Sequence, residues 1–117
     1  MLKKKIICFD IDGVICTTDK SNYHKAKPKK KVIKLINNLF ENGYEIKIFT
    51  ARYMGRNSEN TKKVYKMGYK KTLNQLKKWN LKFNHLILGK PTYDIFIDDK
   101  ALGFKNNWVK DLNKILK

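Results

Sequence analysis

The sequence predicts an α/β fold built on a parallel sheet, and three observations carry that prediction. Short apolar runs alternate with longer stretches of helical periodicity along the whole chain. Each apolar run is broken on its carboxyl side by polar residues. The alternation strand–helix–strand implies parallel pairing through right-handed crossovers. With 117 residues, residues 1–117 form a single domain with no room for a second catalytic domain.

The first apolar run, Ile6 to Phe9, reads as a buried parallel strand, with Cys8 a small buried thiol inside it. Asp10-Ile11-Asp12-Gly13 ends it. Residues 13–27 show no periodicity and form a flap in which Tyr23, His24 and Lys25 could touch substrate. Pro28 suits the first turn of a helix, and Val32, Ile33, Leu35, Ile36, Leu39 and Phe40 recur at helical spacing until Asn42-Gly43 stops it. Tyr44 to Phe49 is the second strand. Residues 51–60 form a polar loop with Gly55. Glu59 to Trp79 reads as a helix with a stripe of Tyr65, Tyr69, Leu73, Leu76 and Trp79, weakened in its middle by Gly68. Leu86 to Leu88 and Ile95 to Ile97 are the third and fourth strands. Trp108, Val109, Leu112, Ile115 and Leu116 mark a last helix, and Trp79 and Trp108 belong to the core.

Composition bounds the function. A hydrophobic content of 42% with 12% aromatics supports one core and excludes a disordered chain. No apolar run approaches the ~20 residues of a spanning helix. The start of the chain looks like a signal peptide only superficially, because Asp10 and Asp12 break its apolar run too early. A cytoplasmic protein without a membrane partner is expected. No Cys/His spacing suggests zinc. The net charge of +17 invites an anionic partner. Yet Arg52 and Arg56 are the only arginines, and the lysines are spread along the chain apart from short runs at Lys3–Lys5 and Lys29–Lys31. Nucleic-acid readers favour arginine forks, so the pattern argues against a nucleic-acid partner and for lysine-rich bias.

Polar groups converge on one sheet edge. Ligands of open α/β sheets bind beyond the carboxyl ends of the strands. There the sequence places Asp10 and Asp12, then Thr50, then Lys90, then Asp98 and Asp99. Asp10 and Asp12, two residues apart on an extended strand end, share a face and repel each other unless a cation or proton intervenes. Clustered carboxylates without Cys or His suit a hard cation, and Mg2+ fits best. Thr50 offers a hydroxyl, the amides of Ala51 and Arg52 can bind phosphate oxygens, and Lys90 brings positive charge. That set is equipped for phosphoryl transfer, with one carboxylate attacking phosphorus and its neighbour moving the proton.

These segments resemble a family. FDIDGV (Phe9 to Val14), FTAR (Phe49 to Arg52), GKP (Gly89 to Pro91) and FIDDKA (Phe96 to Ala101) resemble, in order, the four motifs of haloacid dehalogenase-like phosphatases. The resemblance implies a three-layer Rossmann-like parallel sheet, here minimal and without a cap domain. It implies Asp10 as nucleophile and metal ligand, and Asp12 as general acid/base with its carbonyl on the metal. Thr50 and Lys90 would hold and neutralise the phosphoryl group; Asp98 and Asp99 would complete the magnesium site. The phrases TAR and LGKP…IDDKA are similar to those of small phosphatases associated with capsule and surface-polysaccharide synthesis.

The function expected is a magnesium-dependent phosphatase acting through an aspartyl-phosphate on a small phosphorylated metabolite, such as a sugar phosphate or glycan building block. Arg52, Arg56 and His24 are candidate substrate contacts at the mouth of the site. A capless chain is compatible with a homo-oligomer whose neighbouring subunit serves as lid. Three alternatives stay open: a polynucleotide-end phosphatase, a phosphotransferase, and a non-catalytic anion- or nucleic-acid-binding module. A receiver domain is excluded, because no Asp occurs between Asp19 and Asp94 to accept a phosphoryl group at mid-chain.

Overall fold

Ile6–Phe9 forms β1, and a small antiparallel pair follows, β2 (Cys16–Thr17) with β3 (Lys27–Pro28). Helix α1 (Lys30–Glu41) leads to β4 (Glu45–Thr50), α2 (Thr61–Lys78) to β5 (His85–Leu88), and α3 (Trp108–Leu116) closes the chain. The computed structural model describes residues 5–116; Lys3 and Lys4 of the first basic run, and the extreme ends of the expected 1–117 domain, lie outside the described residues.

The sheet is parallel and three-stranded among the described residues, in the order β1-β4-β5. Ile6 lies opposite Glu45 and Phe9 opposite Ile48; Lys47 lies opposite His85 and Thr50 opposite Leu88. This register brings Asp10, Thr50 and the residues after Leu88 to one edge. Two crossovers step the same way across the sheet, and the loop after α2 is tied to α1: the Asn37 amide donates to the Asn80 carbonyl at 2.9 Å and its oxygen accepts from Lys82 N–H at 2.8 Å. Helices flank the sheet, and the whole is a minimal Rossmann-like α/β fold. Ile36, Ile46, Ile48, Val64 and Leu76 are buried at its centre, with Trp79 and Trp108 packed partly buried against it.

Several elements differ from the sequence expectation. The flap is not all loop: Cys16 pairs with Pro28 and Thr17 with Lys27, and a 3₁₀ turn at Tyr23–Lys25 joins them. Pro28 therefore closes a two-residue edge strand, a place where its missing N–H costs nothing, and α1 begins at Lys30. Among the described residues β1 has a neighbour on one side only; Ile6 and Cys8 are exposed, and Cys8 is not the buried thiol expected.

The largest difference concerns the expected fourth strand. Ile95 to Ile97 forms no strand, and Ile95 and Ile97 are 79% and 91% exposed. Three apolar residues between Asp94 and Asp98 fall short of an ordinary strand. Local contacts compete for them: the Phe96 ring lies 5.0 Å from that of Tyr93, and the Lys90 ammonium sits over both, at 5.2 and 5.3 Å.

The buried row of α2 is also displaced from the expected stripe. It runs Val64, Gly68, Thr72, Leu76. Tyr65 stays at the rim, stacked on Tyr69 with 5.6 Å between centroids, and its hydroxyl donates to Leu88 C=O at 3.3 Å and accepts from Leu88 N–H at 3.0 Å. Gly68 is thus no weak point but a notch. A Cβ built on it would lie 2.2 Å from Cδ2 of Tyr53. Tyr53 itself holds a positive φ of 69° and packs its ring 4.9 Å from that of Tyr23. Alanine at Gly68 would gain about 1 kcal/mol of helix propensity, but forcing a methyl into this contact costs about 1–3 kcal/mol. Gly68→Ala is therefore expected to lower stability by about 1 kcal/mol, read as a shift of the urea midpoint; a raised midpoint would mean that the Tyr53 ring yields freely.

Candidate active site

β1 ends at Phe9, and the chain turns at once. Asp10 accepts Ile11 N–H on Oδ1 at 2.8 Å, while its Oδ2 faces Lys90 Nζ at 3.6 Å. Gly13 takes a positive φ of 88°, the glycine-favouring region, so that the chain can double back into β2. Lys90 follows β5 through Gly89, also at positive φ, and its N–H donates to Thr50 C=O at 3.2 Å. Thr50 is almost wholly buried; its Oγ accepts Arg52 N–H at 3.1 Å and keeps its own proton to donate. Asp10, Thr50 and Lys90 are thus brought together at adjacent strand ends.

Burial raises the Asp10 carboxyl above its ordinary range; Lys90 and the Ile11 amide oppose that, and Asp12 adds to it. Burial pulls the Lys90 ammonium down, but Tyr93 and Asp10 outweigh it and its pKa is raised. If Asp10 is the nucleophile that the sequence leads one to expect, it must be ionised to react, and turnover should fall as pH drops through this raised value. Lys90 holds that value down. Lys90→Met is therefore expected to move the acid limb of the pH–rate profile to higher pH and to cut turnover about a hundredfold, the scale of losing one charge-stabilising donor. An acid limb unmoved by the change would separate Lys90 from Asp10.

Asp12 is held more tightly than its neighbour. Arg52 forks onto it, Nε to Oδ2 and Nη2 to Oδ1, both at 2.9 Å. The Thr18 hydroxyl also donates to Oδ1. Arg52 is 2% exposed, so it does not stand at the mouth as expected but beneath it. Burial lowers the pKa of its guanidinium, yet the bonds and charge of Asp12 prevail and raise it. Its remaining nitrogen, Nη1, donates to Gln75 Oε1 at 2.6 Å, Gln75 Nε2 donates to Tyr23 C=O at 2.6 Å, and the guanidinium lies 4.8 Å over the Tyr23 ring. Gln75 and Thr18 escaped the sequence reading. A polar amide beside the buried row of a lysine-rich helix was the available signal for Gln75.

The remaining candidates separate. Ala51 is half-buried, its carbonyl accepting Met54 N–H at 3.0 Å, with its amide at the loop entrance after Thr50. Arg56 and His24 are exposed and line a cavity of about 280 Å³ with Ser21, Tyr23, Tyr53 and Lys71. Asp98 and Asp99 lie on the exposed segment after Ile97, because the strand meant to carry them to the edge does not form. Among the described residues no three His, Cys, Asp or Glu side chains gather as a metal cage. Asp12 has both oxygens on Arg52, and Asp10 faces an ammonium. With Asp98 and Asp99 away from the edge, the charge of Asp12 and Asp10 is balanced by Arg52 and Lys90.

No known family model matches the sequence, and no curated protein matches it. Among solved structures, the chain is similar to a structural-genomics target from Vibrio cholerae, with a TM-score of 0.79 and 24% identity over 97% of this chain and 99% of that one. It is also similar to part of a chain in the Pnkp1/Rnl/Hen1 complex, with a TM-score of 0.55 and 19% identity over 97% of this chain and 34% of that one. These likenesses show the fold. No helix among the described residues is long and apolar enough to cross a membrane.

Proposed function

We propose that the protein is a phosphohydrolase of the haloacid dehalogenase-like type that cleaves a phosphate monoester through Asp10. The observation that carries this reading is the Asp10 carboxylate at the carboxyl end of β1, facing Lys90 at 3.6 Å, with the Thr50 hydroxyl at the next strand end. Asp10 attacks phosphorus, forming an Oδ–P bond as the bond to the leaving oxygen breaks, and Thr50 and Lys90 take up the charge on the phosphoryl oxygens. Asp12 rests as a carboxylate on the Arg52 fork, so it first takes up the proton of the bound phosphate monoester monoanion and passes it to the leaving oxygen. It is then the carboxylate that the Arg52 fork stabilises, and it accepts the proton of the water that hydrolyses the aspartyl-phosphate.

Magnesium belongs to this proposal only through Asp98 and Asp99, whose segment would have to reach the open edge of β1; no step above runs through a metal. The substrate class proposed is a small phosphorylated metabolite. A polynucleotide end is the second reading, favoured by one observation: a basic depression along α2, lined by Lys63, Lys66 and Lys71, adjoins the cavity that holds Arg56.

The deciding experiment is phosphate release from a panel of sugar, amino-alcohol, nucleotide and oligonucleotide phosphates, each with magnesium and with chelator. Release with magnesium alone, together with slowed amide exchange over residues 95–99, is the expected result. Release unaffected by chelator would remove the metal from the proposal. No release from any compound would overturn the phosphatase reading and favour binding or phosphotransfer.

A further inference from the structure

The cavity lined by Ser21, Tyr23, His24, Tyr53, Arg56 and Lys71 lies on one particular side of the site. Its Tyr23 wall contacts the Arg52 guanidinium, 4.8 Å from the ring, and that guanidinium grips Asp12 at 2.9 Å. The cavity is therefore one side chain away from the proposed acid, whereas no residue that lines it bonds to Asp10 or Lys90. An acid that protonates a leaving oxygen must stand beside the leaving group. A leaving group that passes Asp12 is the part of the substrate placed to reach this cavity.

The lining has a definite chemistry. Arg56 lies 5.4 Å from the centre of the Tyr23 ring and 5.0 Å from that of Tyr53, and its Nη2 donates to Ser21 C=O at 3.2 Å. Ring contacts and a backbone bond hold the guanidinium in place without neutralising it. No acidic residue lines the cavity; Lys71 and His24 add positive charge or donors. A fixed guanidinium fork matches a carboxylate or phosphate. The half-open space of about 280 Å³ is at the small end of ligand sites and suits a group of sugar-acid size.

We propose that this cavity is the leaving-group subsite and that it selects phosphate monoesters whose leaving group carries a second anionic group. The inference rests on the reading of Asp12 as the acid. The second anion has two sources, a carboxylate on a small metabolite or a phosphodiester next to a polynucleotide end, and the basic depression along α2 makes the second worth a separate arm.

The test compares matched pairs: 3-phosphoglycerate with glycerol 3-phosphate, glucuronic acid 1-phosphate with glucose 1-phosphate, and a dinucleotide 3′-phosphate with a nucleoside 3′-phosphate. Wild type should prefer the member with the extra anion by about tenfold or more in kcat/KM, the scale of one charge-assisted contact. Arg56→Ala and Arg56→Gln should erase most of that preference, chiefly through KM, with a near-normal urea midpoint showing that the fold survives. Preference confined to the first two pairs assigns a carboxylate, and to the third a phosphodiester. Equal turnover of both members by wild type, or a preference untouched in both variants, overturns the subsite while leaving the phosphatase reading standing. If no compound turns over, titration of 3-phosphoglycerate against the His24 and tyrosine ring resonances decides. Shifts at Tyr23, His24 and Tyr53 that vanish in Arg56→Ala keep the subsite without the reaction, and no shifts overturn it.

Discussion

Replacing Asp10 with asparagine is expected to lower phosphate release by about a thousandfold or more while the protein stays folded. The amide keeps the shape and can still accept the Ile11 N–H, but it cannot form the phosphoryl ester, and losses on this scale attend removal of a covalent nucleophile. Stability should respond differently. Burial raises the Asp10 carboxyl above its ordinary range, so between the unfolded and folded pKa values the native state binds more protons than the unfolded chain. Its contribution is then fully present below the unfolded pKa and is lost as pH rises through the folded one. A neutral asparagine escapes that loss, so the variant should be at least as stable as wild type near neutral pH, read from urea midpoints. Turnover that persists in Asp10→Asn would sink the covalent route. Lost turnover with a collapsed midpoint would show instead that Asp10 is structural.

Arg52 gives the second large effect. Removing it strands the Asp12 carboxylate and unseats Gln75, both bonded to the buried guanidinium. Arg52→Ala should destabilise the protein by about 3 kcal/mol, as broken partly buried ion pairs do. Lysine restores the charge but not the fork, so Arg52→Lys should recover only part of that loss. The kinetic signature distinguishes two roles. A substrate contact at the mouth would show as a raised KM with kcat kept. A positioning residue for Asp12 shows as a kcat lower by about a hundredfold with KM little changed, in the lysine variant as well. Acid-quenched trapping of the phosphoenzyme adds a second reading. The Arg52 fork stabilises Asp12 after its proton has left, so its loss should slow formation of the aspartyl-phosphate more than its breakdown and lower the trapped fraction.

Both predictions depend on how far local patterns specify long-range contacts. The strand ends could be read directly: short apolar or alternating segments stop at or next to Asp10, Thr50 and Lys90, and parallel pairing then aligns those ends whatever the loops do. Periodicity likewise marked α1, α2 and α3 to within a few residues, because an amphipathic face repeats locally. These belong to the sequence by itself. So does the expectation of phosphoryl transfer at that edge, which rests on carboxylates, a threonine and a lysine delivered to one place.

Tertiary structure decided the rest, for a physical reason that differs in each case. Which way an arginine points depends on partners far along the chain. Arg52 stands next to a predicted loop, yet Asp12, 40 residues earlier, and Gln75, 23 residues later, draw it beneath the surface. The role of Gly68 depends on the Tyr53 ring that fills the space a Cβ would need. Cys8 is exposed on a strand that has one neighbour among the described residues, which no property of its own run determines. The segment from Ile95 to Asp99 shows the limit most plainly. Three apolar residues can join a sheet edge or stay in local contacts; here Phe96 packs with Tyr93 and Lys90, Ile95 and Ile97 stay exposed, and the two carboxylates that follow lie off the sheet.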